Sequence, residues 1–305
     1  MSLTLLKIFS LEKLSYLNYP KQLPIKLIKM FFYFLKKITP PIIVDIIRNF
    51  KHNKKDEVKW IGDYTSWQAA MQYCEGYDAD IILDNCKNAL LKVKKGEATY
   101  ERDGVLFDKI EYSWALLAML QHIAMENNGK LCVLDFGGSL GSSYYQNKGF
   151  LGLVKTIKWC IVEQPHFVKC GKQYFQNEQL HFYYSIEDCL AENKPDVLLL
   201  SGVLAYLEQP NDWINKFLAL ELPYIIIDRT AFVKNNRDIL TVEIVPLRMY
   251  KASYPSWFFN LEQFIEPFLK PYSILAVFDS FADNSIFLQS NKKANWKGIL
   301  LKKTL

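Results

Sequence analysis

The chain has 305 residues, of which half are apolar, and its formal net charge is +5. This length suits one large domain with additions or two small ones, and the composition excludes a mainly disordered chain because so much of it can enter a core. The six cysteines form no Cys-x-x-Cys pair and no His-Glu-x-x-His motif occurs, so we expect reduced thiols in a cytoplasmic protein and predict no metal site.

The positive charge is concentrated at the start of the chain. Residues 1–60 contain twelve Lys or Arg and four acids, a net charge of +8, which leaves −3 for the remainder. Within them Ile25–Ile38 is strongly apolar but carries four lysines, so it is too short and too charged to span a bilayer. We expect residues 1–55 to form a basic amphipathic helical arm whose apolar face either lies in a membrane surface or packs on the main domain. Nucleic acid is not expected as a partner because the aromatic residues sit inside apolar runs.

The next region, residues 56–128, is predicted to be a helical N-terminal extension that carries a lid. The charged segment Gly96–Gly104 precedes a predicted helix over Ser113–Asn127, a position from which a segment can fold over a bound cofactor. Arg102 within this segment has two interpretations. Its guanidinium could pair a carboxylate of the cofactor or substrate, or it could form a local ion pair with the acids on either side, which is the commoner case.

A strand followed by a glycine-rich turn lies at the centre of the chain. Four apolar residues, Leu131–Leu134, end in Asp135 and predict a buried parallel strand, and the glycines after it let the backbone turn sharply beside a ligand. A dinucleotide fingerprint would need glycine at positions 139 and 142, which are both serine. A hydrolase nucleophile elbow at Ser139 would need an acid and then a histidine, and the later candidate aspartates follow both remaining histidines.

The pattern Asp135-x-Gly137-x-Ser139-x-Gly141 resembles the first motif of class I S-adenosylmethionine-dependent methyltransferases, with Ser139 at a position where the family has glycine. The resemblance implies S-adenosylmethionine as the cofactor. It also implies that the turn contacts this cofactor through Asp135, Gly137, Gly138, Ser139 and Gly141.

A second apolar run, Trp159–Glu163, ends in an acid that lies 22 residues beyond Gly141. Ligands of open α/β sheets bind at the carboxyl ends of the strands, so Glu163 is expected to accept hydrogen bonds from both ribose hydroxyls of the cofactor. The alternative is that Glu163 only caps the helix that begins after Pro165.

Strand and helix patterns alternate through the rest of the chain, which predicts βαβ units and a parallel sheet. The predicted strands after Trp159–Glu163 are His181–Tyr184, Asp196–Ser201, Tyr224–Asp228, Ser273–Asp279 and Gly298–Leu301. The predicted helices are Phe167–Phe175, Ile186–Glu192 and Asn211–Leu220. We therefore expect residues 129–305 to form a Rossmann-like α/β domain, the seven-stranded methyltransferase sheet with helices on both faces and an antiparallel final hairpin.

The methyltransferase resemblance implies roles for residues at other strand ends. Ser185 and Ile186 follow the third strand, where the family holds the adenine ring. Ser201 and Gly202 end the fourth strand, where the methyl group meets its acceptor. Tyr206, shortly after them, is therefore a candidate to contact the substrate.

Methyl transfer is an in-line displacement, so catalysis consists largely of alignment and removal of the acceptor's proton. For a hydroxyl acceptor the candidate bases are His166, whose ordinary pKa suits proton transfer, and Asp228 at the end of the fifth strand. A lone histidine is more often structural. Arg229 adjoins Asp228 and is predicted to contact the substrate.

The segment Ala231–Pro271 is long for a connection between strands and too apolar for disorder. We interpret it as the acceptor pocket, with Tyr254 and Trp257 as substrate contacts, because aromatic faces stack well on sugar rings. The alternative is an ordinary aromatic core.

Longer polar and aromatic strings resemble a family of methyltransferases associated with bacterial surface-polysaccharide (O-antigen-type) synthesis, from about Trp60 to the C-terminus. These strings are Trp60-x-Gly62-x-Tyr64-x-Ser66-Trp67, Gly76–Asp78, Tyr100–Asp103, Val133–Asn147, Val162–Phe167 and Ala252–Phe258. The resemblance implies O-methylation of a sugar or glycan intermediate, in the cytoplasm or at the inner face of the membrane. The alternative is a non-catalytic domain of the same fold that docks on a membrane or protein partner through its basic arm.

Overall fold

Aliphatic runs separated by amphipathic segments fold into alternating strands and helices. The computed structural model describes residues 58–74, 79–246, 252–281, 285–288 and 292–304, all of which belong to the unit Asp56–Leu305. The predicted arm over residues 1–55 and the motif at residues 76–78 lie outside the described residues. No helix in the described part of the chain is both long and apolar enough to cross a bilayer.

The helices and strands alternate along most of the chain. In chain order they are β1 (Lys59–Tyr64), α1 (Trp67–Met71), α2 (Ala79–Lys94), β2 (Tyr100–Arg102), β3 (Val105–Phe107), α3 (Trp114–Glu126), β4 (Lys130–Phe136), α4 (Ser142–Asn147), β5 (Thr156–Val162), α5 (Pro165–Tyr174), β6 (Leu180–Tyr183), α6 (Ile186–Glu192), β7 (Val197–Ser201), α7 (Pro210–Ala219), β8 (Tyr224–Val233), β9 (Ile239–Val245), β10 (Ala252–Phe258), α8 (Leu261–Ile265), β11 (Tyr272–Asp279), β12 (Ile286–Phe287) and β13 (Lys293–Lys303). Short 3₁₀ helices occupy Leu204–Tyr206 and Glu266–Phe268.

The main sheet has the order β11-β13-β8-β7-β4-β5-β6, and β12 pairs with β13 at its margin. Neighbours from β8 to β6 run parallel, whereas β13 is antiparallel to both β8 and β11. The predicted Rossmann-like, seven-stranded sheet with an antiparallel final hairpin is confirmed. Because the chain adds β5 and β6 on one side of β4 and β7 and β8 on the other, the carboxyl ends beside β4 form the crevice in which such sheets bind ligands.

Helices cover both faces of this sheet, which is why its central strands are mostly apolar. In β7, Val197 and Leu199 belong to the cluster under α2, α3 and α5, whereas Leu198 and Leu200 belong to the cluster under α6, α7 and α8. Trp159 of β5 is fully buried. The two clusters hold the parallel strands in register, and they therefore set the positions of the strand ends at which the site forms.

Two regions differ from the sequence-based expectation. The segment Ala231–Pro271 is not a loop, because β8 continues to Val233 and β9 and β10 form a separate antiparallel sheet with β1. Its β-branched residues, such as those of Ile239–Val245, favour strands. Residues 56–128 are not only helical, because they also supply β1 and the β2–β3 hairpin in which Arg102 lies.

Candidate functional site

The turn after β4 packs too closely for side chains at two of its positions. Gly137 has a φ of +73°, and a Cβ there would lie 2.4 Å from Cγ2 of Val203, just beyond β7. A Cβ on Gly138 would lie 2.6 Å from the carboxylate of Asp135. Glycine is required at both positions because the backbone approaches its neighbours directly.

Ser139 is the residue that departs from the methyltransferase motif. Its φ is 54°, in the left-handed region that glycine enters at less cost than other residues. Its backbone N–H donates to the carboxylate of Glu163, and its side chain is hydrogen-bonded to the thiol of Cys86. The turn therefore keeps the backbone conformation typical of glycine, and the serine side chain is engaged in local packing.

The tips of β4 and β5 converge. The backbone N–H of Gly137 donates to the carbonyl of Val162 over 2.9 Å. Oε2 of Glu163 accepts from the N–H of Gln164 over 2.6 Å and its carboxylate also accepts from Ser139. Burial raises the pKa of Glu163, and these two N–H donors oppose that rise. Gln164, not Glu163, occupies the N-cap of α5, so helix capping does not account for Glu163.

The buried carboxylate of Asp135 packs against the glycine turn. It is 1% exposed, and its Oδ2 accepts from Nε1 of Trp159 over 2.8 Å. Burial raises the pKa of Asp135 to about 7. Its carboxylate lies against Gly138 and does not line the cleft, so the predicted direct contact of Asp135 with a cofactor is not supported.

A cleft of about 1480 Å³ opens at the carboxyl ends of the parallel strands. Half of the sequence-predicted site residues line it, namely Gly137, Glu163, Ser185, Ile186, Gly202, Tyr206, Arg229 and Tyr254. The others lie outside its lining, namely Asp135, Gly138, Ser139, Gly141, His166, Ser201, Asp228 and Trp257. Ser185 also caps α6, because its hydroxyl accepts from the N–H of Asp188 over 3.0 Å.

Three residues with predicted catalytic or substrate-binding roles do not line the cleft, namely His166, Asp228 and Trp257. The Nε2 atom of His166 is buried and has no hydrogen-bond partner in the described part of the chain, and its ring packs on Phe167. Asp228 is 1% exposed, and its Oδ1 accepts from the N–H of Arg229. Nε1 of Trp257 donates to the backbone carbonyl of Leu207 over 3.1 Å, and Trp257 itself does not line the cleft. The structure therefore gives no support to His166 and Asp228 as bases or to Trp257 as a substrate contact, because the surrounding elements bury or engage these groups, and the three roles stay predictions.

The β2–β3 hairpin forms part of the cleft wall. Glu101, which is buried, accepts from the hydroxyl of Ser142 at the start of α4 and from the N–H of Gly104. Burial raises the pKa of Glu101 to about 7. At the hairpin tip Oδ2 of Asp103 lies 2.5 Å from Nη2 of Arg229. Burial would raise the pKa of Asp103, but Arg229 outweighs it and the pKa lies below its usual value.

Arg102 lines the same wall. Its side chain is 15% exposed, and its guanidinium lies 4.9 Å from the ring centre of Phe107. The local ion pair that the sequence favoured is present but long, with 4.0 Å to Asp103 and 3.7 Å to Glu111. Nη1 of Arg102 is buried without a hydrogen-bond partner among the described residues, so the geometry still allows it to bind an anion in the cleft.

Sequence reasoning missed one acid at this site. Glu243 of β9 is 6% exposed and lines the cleft. Its Oε2 accepts from Nε1 of Trp60 over 2.9 Å and from the hydroxyl of Tyr206 over 3.0 Å, and its Oε1 accepts from the hydroxyl of Tyr254 over 3.4 Å. Burial raises the pKa of Glu243 to about 7. The only signal in the sequence is a single acid inside a β-branched run.

No family model and no curated protein matches this chain. Among solved structures it is similar to a 1,6-didemethyltoxoflavin-N1-methyltransferase of Burkholderia thailandensis, with 11% identity, 83% of this chain and 97% of that chain covered, and a TM-score of 0.37. It is also similar to CalS10, an amino pentose methyltransferase of Micromonospora echinaspora, with 11% identity, coverage of 63% and 92%, and a TM-score of 0.40. A third is the N-terminal domain of EvdMO1, with 9% identity, coverage of 75% and 98%, and a TM-score of 0.39.

Proposed function

We propose that this protein is an S-adenosylmethionine-dependent methyltransferase that acts on a hydroxyl of a sugar or sugar-linked intermediate. The observation that carries the proposal is the convergence of Gly137, the first glycine of the turn, and of Glu163 at one cleft. This cleft lies beside β4, where the strand order of the sheet reverses. Such crevices are the ligand sites of open α/β sheets.

The residues on the cleft wall fit a cofactor that contains adenosine. The carboxylate of Glu163 is oriented by two backbone N–H groups and would accept hydrogen bonds from ribose hydroxyls. Ser185 and Ile186 would border the adenine ring, and Gly137 would let the backbone approach the ligand. S-adenosylmethionine, when bound, supplies a methyl group on a positively charged sulfur.

Aromatic and charged groups from separate chain segments surround the other part of the cleft. Trp60, Tyr206 and Tyr254 line it together with the ion pair of Asp103 and Arg229. Aromatic faces pack on sugar rings, and ionised groups bind sugar hydroxyls strongly. This composition, together with the resemblance to methyltransferases of surface-polysaccharide synthesis, supports a saccharide acceptor.

The first test is calorimetric titration of the purified full chain with S-adenosylmethionine and S-adenosylhomocysteine. We expect both to bind at one site, and an NADH titration serves as the control. If neither sulfur ligand binds, the methyltransferase proposal falls and the non-catalytic docking role is favoured. A screen of nucleotide sugars and glycans with isotope-labelled S-adenosylmethionine then identifies the acceptor from the labelled product.

We also propose that residues 1–55 attach the protein to the inner face of a membrane. The support is the net charge of +8 over residues 1–60 and the apolar run Ile25–Ile38. The test compares sedimentation of the full chain with anionic liposomes before and after glutamine replaces four lysines, Lys26, Lys29, Lys36 and Lys37. Equal sedimentation of the two proteins would reject membrane attachment through these charges.

A further inference from the structure

Glu243 is a buried carboxylate whose three hydrogen-bond donors are neutral. These donors come from three separate parts of the fold: Trp60 in β1, Tyr206 after β7 and Tyr254 in β10. Within the described residues no lysine or arginine forms an ion pair with Glu243. A carboxylate without a cation is costly to bury, even when it is hydrogen-bonded.

Packing alone does not explain an acid at this position of β9. Leu240 and Val242 of the same strand are fully buried with aliphatic side chains, so the strand builds its core without charge. Glu243 instead lines the cleft, where it meets Tyr206, which follows β7. A buried acid that three donors hold at the wall of a ligand-sized cleft indicates a function.

We infer that Glu243 is the catalytic base that removes the proton from the acceptor hydroxyl. The inference rests on the proposed methyltransferase function. The O–H bond of the acceptor breaks and its proton moves to the carboxylate of Glu243. The electron pair left on the acceptor oxygen forms the new bond to the methyl carbon, while the pair of the broken carbon–sulfur bond stays on sulfur.

The surroundings of Glu243 are suited to this task. Trp60 and Tyr206 both donate to Oε2, whereas the contact to Oε1 from Tyr254 is the longest of the three, at 3.4 Å. Oε1 is therefore the better placed oxygen for a substrate proton. Burial and, to a smaller extent, nearby Asp103 raise the pKa of Glu243, the three donors lower it, and the resulting pKa is about 7. A base whose pKa lies near the working pH is the most effective in proton transfer.

The test uses Glu243→Gln in the full chain, which keeps the size of the side chain and removes its basicity. S-adenosylhomocysteine should bind the variant within about threefold of the wild type, while kcat for the hydroxyl acceptor found in the screen should fall at least about 100-fold. The matched control is Glu178→Gln, an exposed acid outside the cleft, which should leave both values unchanged.

A second measurement needs no acceptor. The protein is labelled with ¹⁵N at tryptophan, and the indole N–H signal of Trp60 is assigned from its absence in Trp60→Phe. This signal reports the charge of Glu243 because the two side chains are hydrogen-bonded. We expect the signal to titrate with a midpoint at about pH 7 in the wild type and to lose this step in Glu243→Gln.

The outcomes separate this inference from the proposed function. If the wild-type protein does not bind S-adenosylhomocysteine, the proposed methyltransferase function is rejected. If cofactor binding is intact, either of two results overturns the role of Glu243: kcat of Glu243→Gln above about a third of wild type, or a Trp60 signal that titrates identically in both proteins. If the wild type turns over no hydroxyl acceptor, the hydroxyl specificity of the proposed function is rejected, and the role of Glu243 is rejected with it.

Discussion

Replacement of Glu163 tests whether this carboxylate binds the ribose of the cofactor. Glu163→Gln keeps the length of the side chain and one acceptor oxygen, but it removes the negative charge. Hydrogen bonds to charged groups contribute about 1.5–3 kcal/mol each and neutral ones about 0.5–1.5 kcal/mol. The loss of one charged hydrogen bond alone should therefore raise the Kd of S-adenosylhomocysteine by about tenfold to about 150-fold, and the weakening of the other should add to this rise.

Glu163→Ala should weaken binding further than Glu163→Gln. Alanine removes both acceptor oxygens and leaves the N–H groups of Gln164 and Ser139 without the carboxylate to which they now donate. The two tips of β4 and β5 would then lose one of their connections. The assay is calorimetry on the full chain, with Glu178→Gln as the control for loss of an acid elsewhere. Unchanged affinity in both Glu163 variants would refute the ribose contact.

The same contact predicts a pH dependence with a definite sign. Burial raises the pKa of Glu163, so its carboxylate takes up a proton at a higher pH than an exposed glutamate does. A protonated Glu163 is a weaker acceptor for ribose hydroxyls. The affinity of the wild type for S-adenosylhomocysteine should therefore fall as the pH is lowered through the pKa of Glu163, and Glu163→Gln should show a smaller fall. Parallel pH profiles for the two proteins would contradict this explanation.

Three further predictions concern the turn, its support and the hairpin. Gly137→Ala should lower the melting temperature because its Cβ would meet Val203 at 2.4 Å. Adding Val203→Ala should restore part of the lost stability but leave a cost of about 1 kcal/mol that comes from the positive φ. If the double variant recovers no stability, the clash is disproved. Because the pKa of Asp135 is raised to about 7, the folded state holds this proton more tightly than the unfolded state, so stability should fall as the pH rises through about 7. Thermal melts at a series of pH values should show a smaller loss of stability with rising pH for Asp135→Asn than for the wild type. An equal loss in the two proteins would contradict the raised pKa of Asp135. Arg102→Gln should weaken S-adenosylhomocysteine about tenfold but spare methylthioadenosine, which lacks the carboxylate; equal calorimetric losses for both ligands would exclude Arg102 as the carboxylate partner.

The parts of the fold that depend on local chemistry were predictable from the sequence. The helix Ile186–Glu192 was expected with the bounds that the structure shows, because Ser185 supplies its cap within the same segment. The strand before the glycine turn was predicted to within one residue at each end and is observed at Lys130–Phe136. Hydrophobic runs, caps and glycines act over a few neighbouring residues, so their consequences appear in the sequence itself.

The acceptor half of the cleft was not predictable in the same way. Trp60 and Glu243 are 183 positions apart in the chain, and Asp103 and Arg229 are 126 apart. No local pattern marks such pairs, because they form only when β1 pairs with β9 and the hairpin docks beside α4. The position of the His166 side chain likewise could not be predicted from the sequence, since proximity to a strand end does not determine which side chains reach the cleft.

The sequence by itself determined the Rossmann-like α/β class, the glycine turn and the acidic end of the second strand, because each depends on residues adjacent in the chain. Only the tertiary structure decided that Gly137 and Glu163 meet at one cleft and that Glu243 is buried at its wall. The physical reason is that burial and long-range hydrogen bonding arise from packing between distant segments. These same effects raise the pKa of Glu243 to about 7 and give an ordinary strand residue the properties of a base.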